Sequence, residues 1–207
     1  MNFKKNIIEL QKELQSDTEI SVISFSMFDP VSEEKLREAE ISFGLKLPQI
    51  LLDFYRFSNG LQVRWKQKNT TEEYKDEILK AGDPFHWSWP AEHYWQLEGL
   101  INILNLDQFL FGSYKDFMWF DFEANYTVSY FSKELNLLQF KKDLRPFDVF
   151  DKYYTVAVYP GKDAFDVLLG DDHNADFSHY GRITIEEYFL QLFKTRGSVK
   201  ERPAFFS

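Results

Sequence analysis

The stretch Val31–Gly60, VSEEKLREAEISFGLKLPQILLDFYRFSNG, constrains the fold of this chain more than any other, because it sets two short helices against each other across a fixed break. Ser32 is placed to cap the first helix by accepting a hydrogen bond from an early backbone N–H. Glu33 and Glu34 fall in its first turn, where the helix dipole favours negative charge. Leu36, Ala39 and Phe43 form an apolar stripe, and Gly44 supplies the left-handed residue that ends the helix. Leu45 and Leu47 are expected to bury the connection, and Pro48 suits the first position of the second helix, where its missing N–H costs nothing. Ile50, Leu51, Phe54, Tyr55 and Phe57 give that helix a wide apolar face, closed by Asn59-Gly60. Every part of the break has a structural reason, and none of it is a nucleophile, a metal ligand or a phosphate cradle.

Periodicity sketches the remaining elements. Phe3, Ile7, Leu10 and Leu14 recur at helical spacing and predict a helix over Phe3 to Leu14. EISVISFSMFDP is rich in β-branched and aromatic residues and reads as extended up to Asp29-Pro30. LINILNLDQF reads as a strand, and KDFMWFDFEANYTVSYFS as two strands turning at Ala124-Asn125. Tyr153–Tyr159 and Ala164–Leu169 are expected to pair across Pro160-Gly161, a dipeptide suited to a type II turn. Thr184 and Glu187 spell a capping box, opening a last helix through Tyr188, Phe189, Leu192 and Phe193 that Gly197 ends. Helices, then a run of antiparallel strands, then a closing helix indicate an α+β fold, with an antiparallel-rich sheet and the N-terminal and C-terminal helices packed on it. Residues 1–207 are read as a single domain, with an aromatic-rich insertion at 67–99 and a loose tail from 198.

Charge and composition narrow the chemistry. The chain has no cysteine, so disulfides, thiolate catalysis and Cys-ligated zinc are excluded. Its opening residues lack an uninterrupted apolar stretch followed by a small-residue cleavage site, so no secretory signal is read there. No segment reaches the roughly 18–20 apolar residues of a membrane span, and the cytoplasm is the expected location. The formal net charge of −9 argues against nucleic acid and anionic membrane as partners and favours a basic protein. Between Pro146 and Glu187 stand nine acidic residues against three basic ones, so about two thirds of the net charge lies in one fifth of the chain.

Two clusters could carry chemistry. GDDHNADFSHYG, Gly170 to Gly181, offers Asp171, Asp172, His173, Asp176 and His179 to a divalent ion. It departs from the calcium-loop pattern, there is no His-Glu-x-x-His, and a polar turn accounts for the same residues. FHWSWPAEHYW places His86 and His93 among Trp87, Trp89, Tyr94 and Trp95, which suits either a ligand pocket or a loop folded on its own rings. Gly-x-Ser-x-Gly, the Walker phosphate loop and Gly-x-Gly-x-x-Gly are all absent. No metal, cofactor or catalytic residue is assigned.

Taken as a set, Ser32-Glu33-Glu34, Glu40, Gly44, Leu47-Pro48, Tyr55 and Asn59-Gly60 resemble the N-terminal signature of the SUKH superfamily, in its Smi/Knr-type cell-wall-regulator branch. A strand such as INILNL, the paired β region at Tyr153–Leu169 and a final helix at TIEEYFLQLF extend the resemblance over Val31 to Thr195. The aromatic segment Gln67–Gly99 departs from the family pattern, and nothing is carried over to it. The resemblance implies an α+β fold without catalysis. It also implies an immunity protein that binds and neutralises a polymorphic or contact-dependent toxin, of which a nuclease is the expected kind. Charge clustering then singles out Asp163, Asp166, Asp171, Asp172 and Asp176 as the expected contact surface for a basic toxin. Two alternatives stay open: a scaffold recognising another ligand through Trp87 and Trp89, and a metal-dependent hydrolase using His173 and His179.

Overall fold

The computed structural model describes residues 1–44, 46–69, 98–111, 127–131, 133–136, 140, 143–150, 154–160, 165–171 and 181–207. The elements are α1 (Phe3–Ser16), β1 (Ile20–Met27), α2 (Glu33–Phe43), α3 (Gln49–Phe57), β2 (Leu61–Gln67), β3 (Gly99–Ile103), α4 (Leu106–Phe111), β4 (Thr127–Tyr130), β5 (Lys133–Asn136), β6 (Arg145–Val149), β7 (Tyr154–Pro160), β8 (Phe165–Asp171), α5 (Ile185–Lys194) and a 3-10 helix (Arg202–Phe206).

Local chemistry sets the helix ends. Asn2 accepts from the Lys5 N–H and caps α1, while Ser32 accepts from the Lys35 N–H and caps α2. Gly44 adopts φ 75°, and its N–H donates to Glu40 O and Ile41 O. Pro48 takes the capping position of α3, one residue before the place expected for it; its fixed φ of −56° serves there equally well. Thr184 and Glu187 form the full capping box of α5.

Six strands form one antiparallel sheet in the order β1-β2-β3-β6-β7-β8, and β4 and β5 form a separate hairpin. β7 and β8 pair as an antiparallel hairpin as expected, from Tyr154 opposite Asp171 to Pro160 opposite Phe165, but Pro160 is the last paired residue of β7 and not part of the turn. α1, α3 and α5 share one core with the sheet face that carries Leu61, Val63, Ile101, Ile103, Val156 and Val167. Phe189 is the hub, with ring centroids 4.8 Å from Phe3, 5.2 Å from Phe54 and 5.7 Å from Phe147. Each fully buried ring contributes about 1.5–3 kcal/mol by leaving water, and each edge or offset pair about 0.5–1.5 kcal/mol more. A smaller core of Tyr130, Phe140, Leu144, Ala157 and Leu168 joins the β4–β5 hairpin to alternate positions of β7 and β8.

Several expectations are corrected. LINILNLDQF is strand only to Ile103. Asn105 then accepts from the Gln108 N–H and starts α4, so Asp107 belongs to a helical first turn. LQVRWKQ, not anticipated as a strand, is β2. The second strand of KDFMWFDFEANYTVSYFS is β4, and it pairs with the following segment, β5; the Ala124-Asn125 turn lies outside the described residues. The insertion expected at 67–99 is described only at its ends, which join the adjacent antiparallel strands β2 and β3.

The largest correction concerns the C-terminus. Residues 198–207, expected as a loose tail, are built into the fold. Leu100 N–H donates to Gly197 O and Val199 N–H to Glu98 O, both at 2.9 Å, so the segment runs beside the start of β3. β3 and β6 share a single ladder pair, Ile103 with Asp148. The returning chain occupies the space where those two strands part.

Candidate functional site

The expected acidic surface is only partly described. Asp163, Asp172 and Asp176 lie outside the described residues, and Asp171 is the last residue of β8. Positions 166 and 171 stand five residues apart on that strand, roughly 17 Å at the usual strand rise.

Asp166 is committed within the molecule. Its Oδ2 accepts a short hydrogen bond from the Tyr130 hydroxyl and a bond from Arg182 Nη1 at 3.1 Å. Arg182 also stacks over the Phe131 ring, 4.7 Å from its centroid. Phe131 follows β4 with φ 49°, a left-handed conformation in the short turn between Tyr130 and Lys133. Burial first, then the hydrogen bond to Asp166, raises the Tyr130 hydroxyl well above the ordinary phenol range, so it stays a donor. The Asp166 charge raises the pKa of Arg182. Arg182 remains half exposed and Asp166 mostly covered, so their pairing contributes at most about 1 kcal/mol. Chemically this is a patch of aromatic rings, one guanidinium and one carboxylate. Tyr and Arg are among the residues that dominate protein contact hot spots.

Among the described residues, a fully buried ion pair sits elsewhere, between β3, β6, α5 and the C-terminal segment. Asp148 is fully buried on β6. Its Oδ1 accepts from the Asn102 N–H at 2.8 Å, and its Oδ2 accepts from the Tyr188 hydroxyl at 2.6 Å and Arg202 Nη1 at 2.8 Å. Arg202, also fully buried, donates through Nη2 to Leu100 O and Gly197 O and lies 4.1 Å from the Phe150 ring centroid. Burial drives the Tyr188 hydroxyl well above its ordinary pKa. This network replaces ladder hydrogen bonds where β3 and β6 diverge. Neither its arginine nor its central aspartate was singled out from sequence. A signal existed in each case: an Asp inside the apolar run Phe147 to Phe150, and an Arg beside Pro203, Phe205 and Phe206.

The residues of the N-terminal signature take structural posts. Glu40 Oε1 accepts from the Leu47 N–H across the break at 2.8 Å, the Tyr55 hydroxyl donates to Leu104 O at 3.2 Å, and Asn59 Oδ1 accepts from the Leu106 N–H at 2.9 Å. The Arg56 guanidinium grips Glu33 with two bonds, tying α3 to the start of α2.

His86, His93, Trp87, Trp89, His173 and His179 lie outside the described residues. Among the described residues no group of three or more His, Asp or Glu side chains could hold a metal ion, and no helix is long and apolar enough to cross a membrane. Compared with protein-family models and with curated proteins, the chain matches no family model and no curated sequence.

Proposed function

We propose that this chain is a non-enzymatic immunity-type binding protein of the cytoplasm that neutralises a protein toxin, of which a basic nuclease is the favoured kind. The observation that carries this reading is the concentration of acidic residues between Pro146 and Glu187 in a chain of net charge −9. An acidic surface steers association with a basic protein and can occupy a nucleic-acid-binding groove. The likeness of Val31–Gly60 to the SUKH signature supports the same reading.

Internal pairing refines the expected contact set. The charge of Asp148 is neutralised by Arg202, and that of Asp166 by Arg182. We assign the proposed contact to Asp163, Asp171, Asp172 and Asp176, and to Asp166 the holding of the β4–β5 hairpin through the Tyr130 hydroxyl.

The direct test is co-expression with the C-terminal module of a secreted protein encoded beside this chain, with growth as the readout. Rescue of growth, and an association rate that falls with salt and with Asp163, Asp171, Asp172 and Asp176 changed to Asn, are expected. No rescue rejects the toxin reading. Rescue with a rate indifferent to both salt and the four changes rejects the acidic surface.

A further inference from the structure

The two edges of the six-stranded sheet differ. Along β8, the Val167 N–H donates to Ile183 O at 3.0 Å and the Ile183 N–H donates back to Val167 O at 3.2 Å, so a neighbouring segment closes that edge. β1 forms the other edge, and no strand lies against its outer side among the described residues.

β1 reads ISVISFSM, eight residues without a charge or a proline. Proteins commonly protect an open edge with Lys, Pro, inward charges or a bulge. β1 has a bulge between Val22 and Ser24, near its start, and the run from Ser24 opposite Arg64 to Met27 opposite Leu61 stays in unbroken register. Ser21 to Ser26 keep part of their surface exposed, although their neighbours Leu61 to Trp65 on β2 are buried. Met27 is 47% exposed. Among the described residues, β1 is paired on one side only.

Acidic residues bracket the uncharged strip. Glu19 precedes it and Asp29 follows it, both exposed. Asp17, by contrast, is answered by Arg196 at 2.6 Å. Antiparallel pairing of two copies centred on β1 would set Glu19 of each close to Asp29 of the other, like charge against like charge at both ends. A strand flanked by Lys or Arg meets the opposite condition.

We infer that the outer edge of β1 takes up an extended segment of a basic protein partner as an added strand, with cationic side chains at the ends of that segment facing Glu19 and Asp29. Main-chain hydrogen bonds supply the affinity, and the flanking charges fix orientation and speed encounter. The inference rests on the binding-protein reading above, under which the segment belongs to the toxin.

The probe is a synthetic alternating Thr/Val peptide with Lys at each end. Its controls are the same peptide N-methylated on alternate amides and a version with Glu at each end. Amide hydrogen exchange of β1 and the Kd are the readouts. The Lys peptide is expected to slow exchange at β1, and Glu19→Lys with Asp29→Lys is expected to weaken it about tenfold or more while strengthening the Glu peptide. The N-methylated peptide is expected to fail, since it lacks the donors. The inference is overturned if the Lys peptide leaves β1 exchange unchanged or if the N-methylated peptide protects equally. It is also overturned if the chain alone protects β1 in proportion to its own concentration, which assigns the edge to a second copy. A neutralised toxin whose complex leaves β1 amides unprotected sinks this inference and spares the toxin reading; peptide docking at β1 without protection of cells does the reverse.

Discussion

Arg202 and Asp148 form an ion pair at 2.8 Å in which both side chains are completely shielded from solvent. They are 54 residues apart in sequence and bridge the point where β3 and β6 separate. Removing one partner strands a buried charge, so Arg202→Ala is expected to lower stability by about 3–5 kcal/mol. Arg202→Met combined with Asp148→Asn is expected to recover much of that loss, because the amide oxygen introduced on β6 still accepts from the Asn102 N–H and no charge is left buried. Denaturant midpoints of the two single variants and the double variant decide it; additive losses refute the pairing energy.

Two glycines are expected to fail for different reasons. A Cβ on Gly99 would lie 1.8 Å from Trp65 Nε1, which donates to Arg196 O at 2.8 Å. Gly99→Ala must displace the indole and is expected to cost about 1–3 kcal/mol or more. A Cβ on Gly44 meets nothing within 4 Å, but the residue sits at φ 75°. Gly44→Ala is expected to cost only about 1 kcal/mol of backbone strain, and Gly44→Asn less than Gly44→Ala. Thermal unfolding in a single buffer compares all three.

The capping box of α5 gives a pH signature. The Thr184 backbone N–H, then its hydroxyl, hold the Glu187 carboxyl below its ordinary value of 4.5. Its folded pKa is depressed, so its contribution is present above the unfolded value and is lost as pH falls through the folded one. Thr184→Ala is expected to cost about 1 kcal/mol near neutral pH. Glu187→Gln is expected to flatten the difference in stability between about pH 7 and about pH 3. Chemical denaturation at the two pH values tests it; an unchanged difference in the Gln variant contradicts it.

Glu40 and Asn59 belong to the stretch that most resembles a known signature, yet both side chains accept backbone N–H groups within the fold. Glu40→Ala and Asn59→Ala are each expected to lose about 1–2 kcal/mol, since a part-buried N–H is left without its acceptor. Glu40→Gln, which keeps an acceptor oxygen, is expected to lose less. Loss of partner binding at full stability in either Ala variant would assign these residues to an interface instead.

The sequence by itself determined what is encoded within one or two turns of chain. The helix boundaries at Ser32, Gly44 and Thr184 and the pairing of β7 with β8 follow from capping chemistry and short-range pairing, and they stand where the sequence put them; α5 instead stops at Lys194, with Arg196 taking the left-handed φ of 55° ahead of the expected Gly197. β2 went unread although Leu61, Val63 and Trp65 alternate with Gln62 and Arg64, and the burial of both polar residues gives no local sign. Only the tertiary structure decided the fate of the last ten residues and the role of Asp148. A tail rich in Lys, Glu and Arg reads as solvated until a distant carboxylate, sunk between two diverging strands, gives its arginine a reason to be buried. Desolvating either charge alone is prohibitive, and the pair becomes tolerable only when chain topology brings both partners and the orphaned backbone groups of β3 to one place.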